Sequence, residues 1–507
     1  MTYSITRCAA ALLAAACFSA CTPAAGAVAP GAGQGGTGAV SRPAKDRPHE
    51  TVSVRDFGAK GDGITDDRAA IQRAHDACPS STVHCVVLFP AGRYLLGTTL
   101  AFVNVTRSNV ALVGARNAEI VTPGCDNPEV RTGPSYNTGL FITGTDVTVS
   151  LDMCGASVAF SPVLAAGPAP RLFVRNMRSR NLYYSAVGIN SVAFDLVDID
   201  GLTCETSRDM IDEVGNYACV SRTASSTDSP GNMIRVNRSL FRGVSGAIGA
   251  HNVRNVVIGG GTRFVGCDFA CLKTAVASGY AEMNMSIDRS VTFDGRCVNP
   301  ASANRHLACN TPASRPVNGY TQYVAVFATF NRIDFSAQVR DAPNLGVVFF
   351  DGVMHNARLT FDGARFVNVP AAIQDLQGSV SIVNSRFEGS NIVGTSTVGS
   401  LAQGNIRKLL IADNEFVESY IAPSLNTVAP GDRIDVVRNV FTYSRSDGGA
   451  IRFTNYGRDN QAAALVDANT ITLSGGRKVA IDLGNRAQIG ANNTLHGGAV
   501  INRPQAR

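Results

Sequence analysis

After residue 50 the chain is dominated by short Val/Ile-rich stretches separated by Gly, Asn, Asp and Pro. This pattern predicts many short β-strands joined by tight turns. One stretch departs from it. Ala70, Ile71, Ala74 and Ala77 lie on one face at helical spacing, which predicts a helix there. Thr65 or Asp66 can cap its start, and the acidic pair Asp66-Asp67 suits the positive end of its dipole. Before the helix a short strand is expected to end at Phe57, and glycines at 58, 61 and 63 permit a tight loop with positive φ. After it, Cys85 and the run from Val86 to Leu96 read as a buried strand, a Pro/Gly turn and a second strand.

The rest of the chain repeats weakly. An Asn followed by an apolar residue recurs at Asn237-Arg-Ser-Leu-Phe241, Asn384-Ser-Arg-Phe387, Asn414-Glu-Phe416, Asn439-Val-Phe441, Asn469-Thr-Ile471 and Asn493-Thr-Leu495. The spacing falls mostly between about twenty and thirty residues, the length of one coil of a parallel β-helix. An Asn at a turn can hydrogen-bond along such a stack, and the apolar residue fills a continuous inner column. A second motif is small-then-branched: Ala186-Val187, Ala247-Ile248, Ala275-Val276, Ala325-Val326, Val347-Val348, Ala372-Ile373, Ala450-Ile451 and Ala480-Ile481. Each is expected to be one strand of a single stacked sheet. Alternation then points the branched residue inward and its neighbours at +1 and +3 outward. The expected fold is therefore all-β, a single-stranded right-handed parallel β-helix with an N-terminal capping α-helix.

The segment Asp56-Phe57-Gly58-Ala59-Lys60-Gly61-Asp62-Gly63-Ile64-Thr65-Asp66-Asp67, followed by Ala70-Ile71-Gln72 and then Phe89-Pro90-Ala91-Gly92-Arg93-Tyr94-Leu95-Leu96, resembles the N-terminal part of the pectate-lyase-like β-helix superfamily. That group includes polygalacturonase-type glycoside hydrolases, polysaccharide lyases and phage tailspike depolymerases. The resemblance implies that the helix covers the open end of the β-helix. It makes Asp56, Asp62, Asp66 and Asp67 loop and cap residues rather than catalysts. It also implies carbohydrate processing. However, the polygalacturonase motifs (Asn-Thr-Asp, Asp-Asp, Gly-His-Gly, Arg-Ile-Lys in order) and the Arg-rich signature of pectate lyases are absent, so no active site transfers residue by residue.

The first fifty residues read differently. Arg7 followed by the short apolar run Ala9 to Ala16 reads as a signal peptide over 1–20 and is too short for a permanent span. Phe18-Ser19-Ala20-Cys21 resembles a bacterial lipobox, which would make Cys21 the lipidated N-terminus and a lipid the membrane anchor. Phe18 stands where Leu is usual, and cleavage by an ordinary signal peptidase nearby is the alternative. Residues 21–50, rich in Gly, Ala and Pro, read as a flexible tether. The fold is assigned to 51–507, with its cap over about 51–100. Of thirteen cysteines, removing Cys8, Cys17 and Cys21 leaves ten. Cys78 with Cys85, Cys125 with Cys154, Cys204 with Cys219 and Cys297 with Cys309 lie near one another. Cys267 and Cys271 make a less certain fifth pair. Disulfides suit an exported chain in an oxidising compartment, although sequence does not fix connectivity.

Composition narrows the function. The net charge is +6, with no basic helix or RNA-binding aromatic signature, so a nucleic-acid partner is not expected. A mildly basic surface suits an anionic polysaccharide or carries no meaning. The chemistry weighed is glycoside hydrolysis, which needs two carboxyl groups, or elimination, which needs a base and a cation to stabilise the enolate. A non-catalytic glycan-binding or structural β-helix is the remaining alternative. The predicted register puts Asn190, His251, Asp351, Arg452 and Asp482 on the outer face. Catalytic candidates are His251, set among small residues, and Asp351 with Asp375 one coil later. Strands ~4.8 Å apart would bring those two carboxylates together. The loop from Glu205 to Glu213 adds Asp209 and Asp212, which could supply a catalytic acid or hold Ca2+; no other cofactor is expected. Lys273 and His306 are lone candidates for a lyase base. With no Trp, Tyr183, Tyr184, Tyr280, Tyr320 and Phe349 are left for sugar stacking.

Overall fold

The computed structural model describes residues 50–502 except 80–82, 98–101, 126–137, 163–168, 183–184, 191, 206–217, 223, 225–226, 245, 268–269, 274–282, 296–322, 328–331, 342–347, 350–357, 370–371, 374–377, 394–405, 423–432, 445–448, 454–462, 475–478 and 483–487. The signal, Cys21 and tether expected before residue 50 lie outside these residues.

Among the described residues the chain winds into a right-handed parallel β-helix. Each coil gives one strand to a first sheet, one to a second and one to a third face. The first sheet has sixteen parallel strands, from Glu50–Ser53 to Gln488–Ile489, and the second has sixteen, from Asp62–Asp66 to Thr494–His496. The third face is divided. A nine-stranded sheet runs from Val103–Val105 to Val348–Phe349, and a five-stranded sheet from Ile392–Val393 to Val500–Asn502. Among the described residues the small-then-branched motif, expected to form a single sheet, falls in these two, with Ile373 bridging to Ile392 between them. Most of the motif is in register: Val187, Ile248, Val326 and Val348 belong to the nine-stranded sheet, and Ile451 pairs with Ile481 in the other. Ala275-Val276 is the exception. In that coil Leu272, on the strand Ala270–Lys273, pairs with Ile248 and Val326.

The coils turn where the backbone enters the left-handed region. Between the first and second sheets many coils have a corner residue with positive φ: Asn176, Gly201, Arg238, Gly261, Gly363, Asn384, Asp413, Arg438 and Ala468. The residue after it points inward. This corrects the Asn motif, because two different positions carry it. Asn384 is a left-handed corner (φ 51°) and Asn237 precedes one, whereas Asn414, Asn439 and Asn469 occupy the buried position after the corner. The latter three form a ladder with Asn493, each amide donating to the next Oδ1 at 3.0–3.1 Å. Ser239, Thr262 and Ser385 hold that buried position in other coils and accept from, or donate to, main-chain groups there. Beneath the second sheet, Phe241, Phe264 and Phe293 stack at 5.2 and 4.6 Å between centroids. Phe366, Phe387, Phe416 and Phe441 form a second stack at 4.8, 4.8 and 4.5 Å. Identical side chains on successive coils thus fill the interior in low-energy offset contacts.

The N-terminal end is covered by α1 (Arg68–Asp76). It buries Ala70, Ile71, Ala74 and His75, while Ala77 lies past the last turn and is exposed. His75 therefore takes the place expected for Ala77. Gln72 covers the open edge of the third face: Asn104 N–H donates to its Oε1 at 2.8 Å, and its Nε2 donates to Asn104 C=O at 3.0 Å. A side-chain amide here substitutes for the missing neighbouring strand. The first strand stops at Ser53, and Val54–Phe57 is a 3-10 turn rather than strand. Asp67 occupies the N-cap position but its side chain makes no capping bond; the Asp66 carboxylate accepts from the Arg68 N–H at 3.0 Å instead. The buried Asp67 carboxylate accepts from the backbone N–H groups of Lys60 and Gly61, at 2.6 and 2.9 Å, and so ties the glycine loop to the helix. A side chain at Gly92 would meet Gly61 C=O at 2.7 Å, and Gly61 itself turns with φ 64°, so each motif glycine has its own reason.

Candidate functional site

The outer face of the nine-stranded sheet is built from small residues. Alternation turns Val158, Val187, Val220 and Ile248 inward. The residue after each lies in one outward row: Ala159, Gly188, Ser221 and Gly249. Phe141 continues this row at one end, and the backbone of Lys273, Phe327 and Phe349 at the other. The middle of the row carries almost no side chain; Ala159, Gly188 and Ser221 are partly exposed and Gly249 is buried. Two residues further along each strand stand Asn190, exposed, and His251, half-buried, as the sequence predicted.

His251 sits at the corner where the chain passes to the first sheet, and its position is fixed from below. Arg222, on the adjacent strand Ala218–Arg222, is fully buried. Its guanidinium donates to the carbonyls of His251 (2.7 Å), Asn252, Ser229 (2.7 Å) and Val192 (3.2 Å) and lies over the Phe194 ring at 5.4 Å. A charged group is tolerated here because main-chain oxygens and an aromatic face surround it. Sequence reading missed Arg222, whose only signal was a charge at a position where other coils carry Phe160, Ile189 or Ala250.

The other candidates scatter. Asp351, Asp375, Asp209, Asp212, His306, Tyr183, Tyr184, Tyr280 and Tyr320 lie outside the described residues, as do Cys297 and Cys309. The strand Val348–Phe349 and the bridge at Ile373 belong to consecutive coils but to different sheets. A shared ladder that would set Asp351 beside Asp375 is therefore not present among the described residues. Arg452 and Asp482 are paired neighbours on the five-stranded sheet. There Arg452 lies over the Tyr420 ring at 4.2 Å, and Asn502 donates to Asp482 at 3.3 Å. Among the described residues no group of three or more His, Cys, Asp or Glu side chains is placed to hold a metal ion.

Two carboxylate arrangements were not foreseen. On the second sheet Glu119 and Asp152 are register partners on neighbouring strands. Arg180 holds Glu119 through two hydrogen bonds of 3.0 and 2.8 Å. Burial pushes the Asp152 carboxyl up and the charge of Glu119 adds to this, against a 2.8 Å bond from the Arg178 N–H. On the first sheet Asp198 accepts from both Arg175 and Arg235. Burial pushes Asp198 up, but the hydrogen bonds from Arg235 and Arg175 outweigh it and hold the carboxyl below its usual range. Aligning the coils on their strands was the signal that would have found both sets.

Among the described residues four disulfides are formed, Cys78–Cys85, Cys125–Cys154, Cys204–Cys219 and Cys267–Cys271. They fit an oxidising, extracytoplasmic setting.

Residues 51–161 match the family described as rhamnogalacturonase A/epimerase, pectate lyase-like. This is the cap and the first coils, and it supports the superfamily resemblance read from the motif. A curated relative, a non-secreted LysM effector from Penicillium expansum, is 37% identical over 105 residues; the match covers 19% of this chain, and the chain spans 7% of that protein's length. Among solved structures, the surface adhesin PfbA of Streptococcus pneumoniae is 16% identical, with TM-score 0.37, over 84% of this chain and 90% of its own. A family 28 exopolygalacturonase of Yersinia enterocolitica is 12% identical, with TM-score 0.34, over 87% and 79%. The A-module of a mannuronan C-5 epimerase from Azotobacter vinelandii is 13% identical, with TM-score 0.33, over 90% and 100%.

Proposed function

We propose that this protein is an exported polysaccharide-degrading enzyme, a glycoside hydrolase that holds its substrate along the outer face of the nine-stranded sheet. The observation that carries this reading is the row of small residues Ala159, Gly188, Ser221 and Gly249, bordered by Asn190 and by His251, whose carbonyl accepts from Arg222. Small residues leave room for a linear ligand, and polar groups at one side can address its hydroxyls. Phe349 stands in the row of Gly249, so Asp351 is two residues beyond it just as His251 is two beyond Gly249. Asp351 is the proposed acid, with Asp375, Asp209 or Asp212 as its partner and His251 on the substrate. The match of residues 51–161 to a pectate lyase-like family supports a polysaccharide substrate. The export reading includes a signal over 1–20, lipidation of Cys21 and membrane attachment through that lipid, with 51–507 as the β-helix domain.

A panel of acidic and neutral glycans tests this. New reducing ends without ultraviolet absorbance of an unsaturated product mean hydrolysis. Both signals together mean elimination by a lyase, and silence across a broad panel means a non-catalytic binding protein. Asp351→Asn should abolish the activity, and full retention removes that assignment. Cys21→Ala should release the protein from the membrane fraction; an unchanged distribution refutes lipidation.

A further inference from the structure

A second outward row is built quite differently. On the first sheet, Asn284, Arg332, Arg358, Ser379, Lys408 and Arg433 are register partners on six successive strands. Four of the six are cations, and all four are exposed. Arg332 to Arg433 spans four strand spacings, about 19 Å along the coil axis at ~4.8 Å each. Two of the cations are paired within their own strands, Arg332 with Asp334 at 2.8 Å and Arg433 with Asp435 at 2.5 Å. Among the described residues neither Arg358 nor Lys408 has an ion-pair partner. These two stand two strands apart, with Ser379 between them.

The row opens into a groove at its N-terminal end. Asn255, Asn284, Ser286, Arg332 and Asp334 line a cavity of about 340 Å³ on the same face. Asn255 donates to Asn232 C=O at 3.3 Å and Asn284 to Asn255 Oδ1 at 3.5 Å, so the amides form an outer ladder.

We propose that this face binds a linear polyanionic glycan laid along the coil axis, outside the site proposed for cleavage. The reading above supplies the class, a glycan; the charge and its location come from this row alone. One coil advances by nearly the length of one pyranose in an extended chain, so a uronate or sulfated polymer can present an acidic group to each cation in turn. The amides, Ser379, Ser381 and Thr360 offer the hydroxyl partners a sugar needs. Asp334 and Asp435 beside the row accept from hydroxyls but repel closely spaced phosphates. That composition favours a polyhydroxylated anion over a nucleic acid or a lipid surface.

The test is binding of the full-length protein to immobilised polygalacturonate, with heparin, dextran, duplex DNA and phosphatidylserine vesicles as comparisons. Arg358→Ala with Lys408→Ala should weaken polygalacturonate or heparin binding by about fivefold or more and flatten its salt dependence. A control of equal charge, Arg242→Ala with Arg263→Ala on the second sheet, should bind as the native protein does. The inference is overturned by equal losses in both double variants, by no loss in either, by equally tight binding of dextran, DNA or vesicles, or by no binding of any acidic glycan. Reducing-end release is measured in the same variants. Failure of the cleavage reading shows as silence there and leaves the binding result standing, and the reverse also holds.

Discussion

The amide of Asn439 donates to Oδ1 of Asn469 at 3.0 Å inside the coil stack, and its own Oδ1 accepts from both the backbone and the side chain of Asn414, each at 3.0 Å. It also reaches the Ile411 carbonyl at 2.8 Å. One side chain thus satisfies groups on three successive coils. Asn439→Ala leaves several buried polar groups without partners, each costing about 1–3 kcal/mol. The expected loss is about 3 kcal/mol or more, read from the urea midpoint. A loss under about 1 kcal/mol would show that the ladder is replaced by water.

Ala468 turns a corner with φ 54°, where other coils place Asn, Asp, Gly or Arg. A Cβ residue without a side-chain hydrogen bond is disfavoured there. Ala468→Asn or Ala468→Gly should therefore raise stability, by up to about 1 kcal/mol. A lower thermal midpoint in both variants would contradict this.

His75 gives the cap a pH dependence. Burial holds the ring below the usual histidine range despite the bond to Asp76, and its Nε2 has no hydrogen-bond partner among the described residues. Its folded pKa lies below the unfolded value, so its contribution is complete above about pH 6.5 and is lost as pH falls through the folded pKa. Melting curves between pH 7 and pH 5 should show a falling midpoint. His75→Leu should flatten that slope, and an identical slope in the variant would place the sensitivity elsewhere.

Removal of the His251 imidazole tests the proposed substrate face without dismantling it. Arg222 grips the main chain of His251 rather than its ring in the bonds described above. The thermal midpoint of His251→Ala is read beside its activity, so that any loss of folding is separated from a loss of turnover. Turnover should fall by about 10²-fold or more if the ring assists proton transfer. If KM alone rises, the residue only positions substrate.

The coil architecture was legible because its signals are periodic and local. The motif glycines, the strand–turn–strand from Cys85 to Leu95 and the inward branched residues each announce themselves within a few positions. Errors arose where one letter serves two geometric roles. Asn384 and Asn414 look alike in sequence, yet one supplies a left-handed backbone and the other a buried amide. Ala77 extended the helical spacing one step past the point where the chain turned away. The candidate site was less legible. Glu119 and Asp152 acquire their roles from partners 61 and 26 residues away, and Arg222 reaches His251 29 residues on, so no short window contains these pairs. Lone acids such as Asp351 carry too little context for sequence to assign a partner.

The division of the third face has a consequence for how the molecule comes apart. Most neighbouring coils are joined by three hydrogen-bonded ladders, but where Val348–Phe349 gives way to Ile373 the described residues supply only two. A stack of this kind is close to one-dimensional, and its cooperativity is limited by its weakest interface. That interface lies about two-thirds of the way along the chain. Native-state hydrogen exchange should therefore resolve two blocks of amides with separate opening free energies, the boundary falling between residues 349 and 373. The β-helix would then behave less as one rigid rod than as two coupled folding units.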